Sequence, residues 1–151
     1  MKRFFLFALA LFHPLASQET AHQADFESGS FAYTAIVDSL PARKEEEIAG
    51  RIHYIFYRKE GAGSPAERPI TFCFNGGPGS SSVWLHMQAF GPKRILNPEE
   101  GQSPAPPYAL IDNPDSILDL TDLVFVDPIG TGFSRPGTPA QGDSFYNMQG
   151  D

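Results

Sequence analysis

The part of this sequence best suited to chemistry is the turn Asn75-Gly76-Gly77-Pro78-Gly79, which follows an apolar run and precedes three serines. Glycine lets a ligand approach the backbone closely, and a strand that ends in such a turn before a helix presents unpaired N–H groups. The helix start adds about half a positive charge beside them. The turn therefore predicts an anion site, for a phosphate or for the oxyanion of an acyl-transfer reaction. A tight turn with no ligand is the alternative.

The oxyanion is favoured over the phosphate. The turn lacks the Lys-Ser/Thr ending of a nucleotide-binding loop, and a second turn, GTGFSR, has Arg135 where a dinucleotide fingerprint has its third glycine. Nucleic acid is excluded as a partner because the formal net charge is −7 and the basic pair Arg43–Lys44 is followed at once by three glutamates.

A nucleophile and its general base are harder to find. The consecutive serines Ser80, Ser81 and Ser82 are interpreted as caps of the following helix. Cys73, the only cysteine, lies in an apolar run and is interpreted as a buried, inert thiol. None of the histidines is interpreted as a general base, and His86 is expected to be packed or exposed on the helix; the four are His13, His22, His53 and His86.

Two segments alternate in the manner of strands, residues 31–37 and 51–58. In the second, the alternation predicts one face made of Ile52, Tyr54 and Phe56 and an opposite face made of His53, Ile55 and Tyr57. Residues 18–30 are polar and show no periodicity, so a flexible segment is expected there.

The glycine turn itself joins a buried strand to a helix. Residues 70–74 form an apolar run that suits a strand covered on both faces, and residues 80–90 show helical spacing. A proline-rich surface loop is predicted over 97–107, and a second buried strand over 122–127 runs into the second glycine turn. This order is typical of the start of an α/β sheet, where ligands bind at the carboxyl ends of the strands.

The first 17 residues have the pattern of a secretory signal peptide. Lys2 and Arg3 precede an uninterrupted apolar run, residues 4–12, which is too short to span a bilayer. We therefore expect an exported protein, periplasmic or secreted, without a stable membrane anchor. No indication of an oligomeric state is found in the sequence.

Several of these motifs together resemble the serine carboxypeptidase family of α/β-hydrolases. The resemblance covers roughly residues 50–151 and is carried by FNGGPGSSS, by Gly-Pro at 91–92 and by PPYALIDNPDSILDLTDLVFVDPIGTGFSR. It implies that residues 31–151 are the N-terminal part of an α/β-hydrolase domain, an incomplete one, with a mixed, mostly parallel sheet and flanking helices.

The resemblance also implies a reaction and roles for three residues. Members of the family hydrolyse C-terminal residues of peptides through an acyl-enzyme, so the implied partner is a peptide substrate, and neither a metal nor an organic cofactor is implied. The position of Gly77 supplies an oxyanion-hole N–H, and the positions of Asn75 and Gly76 help bind the substrate carboxylate. The turn 128–134 is expected to shape the wall of the site.

This sequence departs from the family pattern at three positions. Cys73 stands where the family often has Trp, and Ser80 stands where it often has a disulfide-forming Cys. Ala89 occupies a position where many members have a Glu that supports carboxylate recognition. An acyltransferase or esterase with the same machinery is therefore an alternative to the carboxypeptidase.

The family's nucleophile elbow, Gly-x-Ser-x-Gly, does not occur in this sequence. The nearest pattern places Ser134 before Arg135 and Pro136, in the loop after the second buried strand. The segment after Asp143, SFYNMQGD, resembles the lead into the family's next helix, so the triad is expected after Asp151 and this chain is expected to be inactive. A secreted, non-catalytic module that binds an anion or a peptide terminus is the third interpretation.

Overall fold

The computed structural model describes residues 17–76, 79–97, 106–143 and 145, and its longest elements form an antiparallel meander. Strand β1 (Gln18–Phe26) pairs with β2 (Gly29–Lys44), which pairs in turn with β3 (Glu47–Lys59). The strands predicted at 31–37 and 51–58 are confirmed and are longer than expected. The predicted signal peptide lies outside the described residues, except for Ser17.

The expectation that residues 18–30 lack regular structure is wrong. Nine residues of β1 pair with β2 in continuous register, from Gln18 opposite Val37 to Phe26 opposite Gly29. The pairing satisfies the backbone of a polar segment, and the buried side chains of Ala24 and Phe26 attach it to the core. Strand formation here depends on a partner strand, which the local pattern of residues 18–30 does not reveal.

The remaining elements are short. They are β4 (Ile70–Cys73), a π-helix (Leu85–Phe90), β5 (Lys93–Ile95), β6 (Leu110–Asp112), β7 (Asp122–Val126), β8 (Arg135–Pro136) and α1 (Pro139–Gly142), with single 3-10 turns at Pro65–Glu67 and Ile117–Asp119. None of the helices in the described ranges is long and apolar enough to cross a membrane.

The main sheet has the order β1-β2-β3-β7-β4, with β8 also paired to β3. Strands β4 and β7 run parallel, whereas β1, β2, β3, β7 and β8 pair antiparallel. The mixed α/β sheet predicted from the sequence is confirmed, but in the described part of the chain the sheet is mostly antiparallel. β5 and β6 form a separate two-stranded sheet.

One face of the main sheet carries the core. Tyr57 of β3 packs there against Phe125 of β7, with a centroid separation of 6.0 Å between the rings. The buried cluster on this face consists of Ala24, Phe26, Tyr33, Cys73, Leu118, Leu123 and Phe125. The buried Cys73 thiol predicted from the sequence is confirmed, and burial raises its pKa.

The opposite face is largely open. An apolar groove runs across it, lined by Leu40, Ile52, Tyr54, Phe56, Ile70, Phe72, Val124 and Val126. Ile52, Tyr54 and Phe56 share this face, as their alternation predicts. The expectation that residues 70–74 are covered on both faces is wrong for this structure, because Phe72 is 60% and Ile70 50% exposed.

The helix after the glycine turn is shorter than predicted. Helical residues run from 83 to 90 instead of 80–90, and the last six form the π-helix. It ends at Gly91, where a side chain would be impossible because a Cβ would lie 2.1 Å from the backbone oxygen of His86. The buried Asn113 holds this end, since its Nδ2 donates to the carbonyls of Ala89 and Gly91 at 2.9 and 2.8 Å.

Candidate functional site

Asn75 and Gly76 lie just beyond the carboxyl end of β4. The Nδ2 of the half-buried Asn75 donates to Ser80 Oγ at 3.3 Å, and within the described residues this is its one side-chain hydrogen bond. Apart from its neighbours in the sequence, no described residue has an atom within 4 Å of the place where a Cβ of Gly76 would be, so the backbone there is open to a ligand. Gly77, the predicted oxyanion donor, lies outside the described residues.

Ser82 is held in place by the carboxylate of Asp127, the residue that follows β7. The Ser82 N–H and hydroxyl both donate to Asp127 Oδ1, at 2.8 and 2.9 Å. The Ser82 carbonyl accepts the N–H of His86 at 2.9 Å, which begins the helix. The prediction that the serine hydroxyls cap the helix is wrong for Ser82, because its hydroxyl donates to the carboxylate of Asp127, outside the helix.

Ser134, in the second glycine turn, is fully buried. Its hydroxyl donates to the backbone oxygen of Asp127 at 2.7 Å and accepts the N–H of His53 at 2.8 Å. Its own carbonyl accepts the N–H of Gly130 at 3.1 Å. Both functions of the hydroxyl are used inside the fold, so Ser134 closes the turn and is not a nucleophile.

Gly132 brings this second turn against the Asp127 carboxylate. Its φ is +48°, and a Cβ at this residue would lie 1.8 Å from Asp127 Oδ2. Glycine is needed here both for the left-handed backbone and for the close approach. Asp127 is therefore in contact with Ser82 through one carboxylate oxygen and with Gly132 through the other.

His86 lies on the helix and faces the core, where its ring packs 4.7 Å from that of Phe125. Tyr57 Oη and His86 Nε2 are 2.6 Å apart and share a hydrogen bond. Burial lowers the pKa of His86 to about 4, although the charge of Asp127 acts in the opposite direction, and burial raises the pKa of Tyr57. A neutral histidine bonded to a phenol is packed, as predicted, and is not poised as a general base.

The site contains no metal-binding group among the described residues, since no three His, Cys, Asp or Glu side chains converge there. Two residues that shape it were missed in the sequence, Asp127 and Asn113. The available signals were local: Asp127 directly follows a buried strand, and Asn113 lies in the turn-forming stretch Asp-Asn-Pro-Asp. Neither signal identifies the residue to which the Asp127 or Asn113 side chain is hydrogen-bonded.

The described part of the site combines an open backbone at Gly76 with serine hydroxyls that are mostly engaged within the fold. Asn75 and Gly76 form an accessible polar edge at the carboxyl end of β4, beside the end of the parallel strand β7. Ser80 accepts from Asn75, and Ser82 and Ser134 are fully engaged within the fold. Residues 75 and 76 thus lie at the sheet edge where α/β folds bind ligands.

The sequence of this chain is similar to those of known proteins. A model of the serine carboxypeptidase family matches residues 42–148. Carboxypeptidase Y of Saccharomyces cerevisiae is 32% identical over 103 residues, which are 64% of this chain and 18% of that protein. Serine-type carboxypeptidase F of Aspergillus niger is 39% identical over 73 residues, 48% of this chain and 12% of that protein.

The fold also has a similar solved structure. The crystal structure of Kex1, a prohormone-processing carboxypeptidase from Saccharomyces cerevisiae, matches with a TM-score of 0.50 and 27% sequence identity. The match covers 70% of this chain and 21% of that one. The chain therefore spans about a fifth or less of the length of these relatives.

Proposed function

This chain belongs to the serine carboxypeptidase family, and on that premise we propose that the complete protein removes C-terminal residues from peptides. The observation that supports the proposal most strongly is the open turn at Asn75 and Gly76 beyond β4. A carboxypeptidase must recognise the free carboxylate of its substrate, and an accessible backbone beside an amide side chain can do so with N–H donors.

We propose a role for each of three consecutive residues of the first glycine turn and for the second glycine turn. Asn75 and Gly76 bind the substrate carboxylate: Asn75 Nδ2 has a second N–H that has no partner among the described residues, and Gly76 leaves room for the ligand. The N–H of Gly77 stabilises the oxyanion of the tetrahedral intermediate. The turn 128–134 forms a wall of the site.

The nucleophile of this reaction is a serine that attacks the peptide carbonyl and is acylated, after which water releases the shortened peptide. The sequence of this chain has no nucleophile elbow, and its Ser82 and Ser134 are engaged in the fold. We therefore propose that these 151 residues contribute the charge-binding part of the site and are inactive alone. Export through residues 1–17 and a peptide partner belong to the same proposal.

Ala89 favours a second candidate function, acyl transfer or ester hydrolysis. It takes the position where the family resemblance implies a Glu that supports carboxylate recognition. Its side chain has no charge, and its carbonyl accepts a hydrogen bond from Asn113. Without that Glu, a substrate with no free carboxylate would be tolerated at the site.

The complete protein that carries this sequence can be tested with an N-blocked dipeptide, its C-terminal amide and its methyl ester. We expect release of the C-terminal amino acid from the free acid and little release from the amide. Preference for the ester, or transfer of the acyl group to an added alcohol, would instead support the second function. No turnover of any of the three would contradict both enzymatic proposals and favour a binding module.

The 151-residue chain offers an independent test of binding. An N-acetylated dipeptide with a free carboxylate should shift the amide NMR signals of Asn75 and Gly76, and its C-terminal amide should not. Asn75→Ala should weaken binding about tenfold, whereas the exposed control Asn97→Ala should not. A fluorophosphonate probe should label no serine of this chain; a labelled serine would overturn the proposal that the chain is inactive alone.

A further inference from the structure

We propose that Asp127 is a positioning residue for the proposed anion-binding turn: its carboxylate joins the two glycine turns and thereby sets the place of the described residues 75, 76 and 79–81. This inference rests on the proposed function and assigns a task to a residue that itself touches no substrate. It is carried by the contacts of the carboxylate and by the composition of the turn it anchors.

The turn needs an anchor because of its glycines. Glycine loses more conformational freedom on ordering than any other residue, so a sequence with three glycines costs more free energy to order as a turn. On the upstream side the turn is held by β4, whose buried Cys73 pairs with Phe125 of β7. On the downstream side the first strong attachment to the sheet is Ser82, which donates twice to Asp127.

The attachment is made by a charged acceptor. Hydrogen bonds to an ionised carboxylate are roughly twice as strong as those between neutral groups. Ser82 is 4% exposed, so both bonds are protected from competing water. Because the acceptor lies at the end of β7, they hold the start of the helix against the neighbouring parallel strand.

Asp127 is itself fixed from three directions. Its N–H donates to the carbonyl of His53 at 3.1 Å, its carbonyl accepts the hydroxyl of Ser134 at 2.7 Å, and its Oδ2 abuts the backbone of Gly132. The carboxylate therefore has little freedom to move. Because this acceptor is held rigidly against the second glycine turn, it fixes where Ser82, at the end of the first glycine turn, lies relative to the second.

This role predicts a graded series of variants of the 151-residue chain. Asp127→Ala removes the acceptor, Ser82→Ala removes one of two donors, and Asp127→Asn keeps an acceptor oxygen but removes the charge. Asp25→Asn makes the same charge change on β1, at the far edge of the sheet, and is the matched control. The readouts are amide hydrogen exchange at Ser82 and His86, whose N–H groups are bonded to Asp127 and to the Ser82 carbonyl, and the Kd for the N-acetylated dipeptide.

We expect Asp127→Ala to speed exchange at these two amides at least tenfold and to weaken dipeptide binding at least fivefold. Ser82→Ala should give smaller changes in the same direction, Asp127→Asn should recover about half of both because a neutral acceptor is weaker, and Asp25→Asn should change neither. A folded Asp127→Ala chain with unchanged exchange and Kd would overturn the inference. If that variant fails to fold, Ser82→Ala decides, and unchanged exchange at His86 in it counts against the role.

The exchange readout is separate from the proposed function. If the original chain does not bind the dipeptide, the proposed carboxylate site is wrong, but the effect of the variants on the attachment of Ser82 and the helix start is still measured. Faster exchange confined to residues 82–86 would support the anchoring role in that case too. Faster exchange spread evenly over the sheet would show that Asp127 acts on global stability and would overturn it.

Discussion

The phenol oxygen of Tyr57 and the Nε2 of His86 are 2.6 Å apart, and their hydrogen bond joins strand β3 to the helix that follows the glycine turn. Both side chains are largely removed from solvent, and the rings lie on the covered face of the sheet beside Phe125. The helix is thus held at one end by Asp127 and along its buried side by this pair.

The Tyr57–His86 pair predicts that stability falls in mild acid. Burial lowers the pKa of His86 to about 4, below its value of 6.5 in an unfolded chain, so the unfolded state binds more protons between these values. The contribution of neutral His86 is complete above pH 6.5 and is lost as the pH falls through 4. This contribution to the free energy of unfolding is roughly 3 kcal/mol at neutral pH.

Urea unfolding between pH 7.5 and 4 measures this effect. The difference in unfolding free energy between the original chain and His86→Gln should shrink as the pH falls, since glutamine does not titrate. Asn97→Gln, an exposed change that removes no titrating group, is the control, and its unfolding free energy should follow that of the original chain at every pH. A constant difference between His86→Gln and the original chain would contradict the predicted linkage.

Gly91 should not tolerate alanine. The added Cβ would lie 2.1 Å from the backbone oxygen of His86, so the end of the helix would have to move. We expect Gly91→Ala to cost roughly 3 kcal/mol in thermal or urea unfolding. Gly63→Ala is the comparison: φ is +88° there but the space is open, so only backbone strain of about 1 kcal/mol is expected. Equal losses of unfolding free energy in the two variants would show that the end of the helix moves to accommodate the added methyl group.

Arg68 and Asp122 form a buried ion pair whose disruption should be costly. Arg68 Nε and Asp122 Oδ1 are 2.7 Å apart, and the side chains are 11% and 3% exposed. Arg68→Met would leave a buried carboxylate without its cation, at a cost of roughly 3 kcal/mol.

The matched control is Arg94→Met, which breaks the pair with Asp115 at 2.8 Å, where the side chains are 35% and 70% exposed. Solvent screens this pair, so a loss below about 1 kcal/mol is expected. Urea unfolding compares the two variants. A similar loss in both would mean that burial does not decide the contribution of the pair.

The open apolar groove should make the isolated chain bind a hydrophobic dye and self-associate. Exposed apolar side chains on the edge strand β4 invite pairing with other chains. Phe72→Lys should lower the fluorescence of bound anilinonaphthalene sulfonate. In analytical ultracentrifugation it should also shift the sedimentation coefficients from those of oligomers to that of the monomer. Leu120→Lys, an equally exposed residue away from the groove, should change neither. Equal effects would argue against the groove as the binding surface.

Local patterns in the sequence predicted much of the sheet. The alternation of residues 51–58 separates Tyr54 and Phe56 from Tyr57, and the structure places them on opposite faces of β3 as expected. The apolar run over 122–127 becomes β7, whose first four residues are buried. These predictions succeed because periodicity is a property of neighbouring residues.

Predictions that depend on a partner fared less well. Residues 18–26 show no strand pattern, yet β1 forms because β2 is beside it. The run 70–74 is apolar enough for a strand buried on both faces. In this structure Phe72 is nevertheless exposed, because nothing in the described residues packs on that face of β4. Burial is decided by the elements that assemble around a strand, which its own composition does not specify.

The sequence by itself determined the family, the glycine turn and the residues proposed to hold charge, because these are contiguous motifs. Only the tertiary structure decided that the turn is attached through Asp127 to a serine 45 residues earlier, and that Ser134 is buried within the second turn. The physical reason is that a hydrogen bond between distant residues exists only after strand order and direction bring the donor and the acceptor together. β7 lies parallel to β4, and that pairing places the carboxylate beside the helix start.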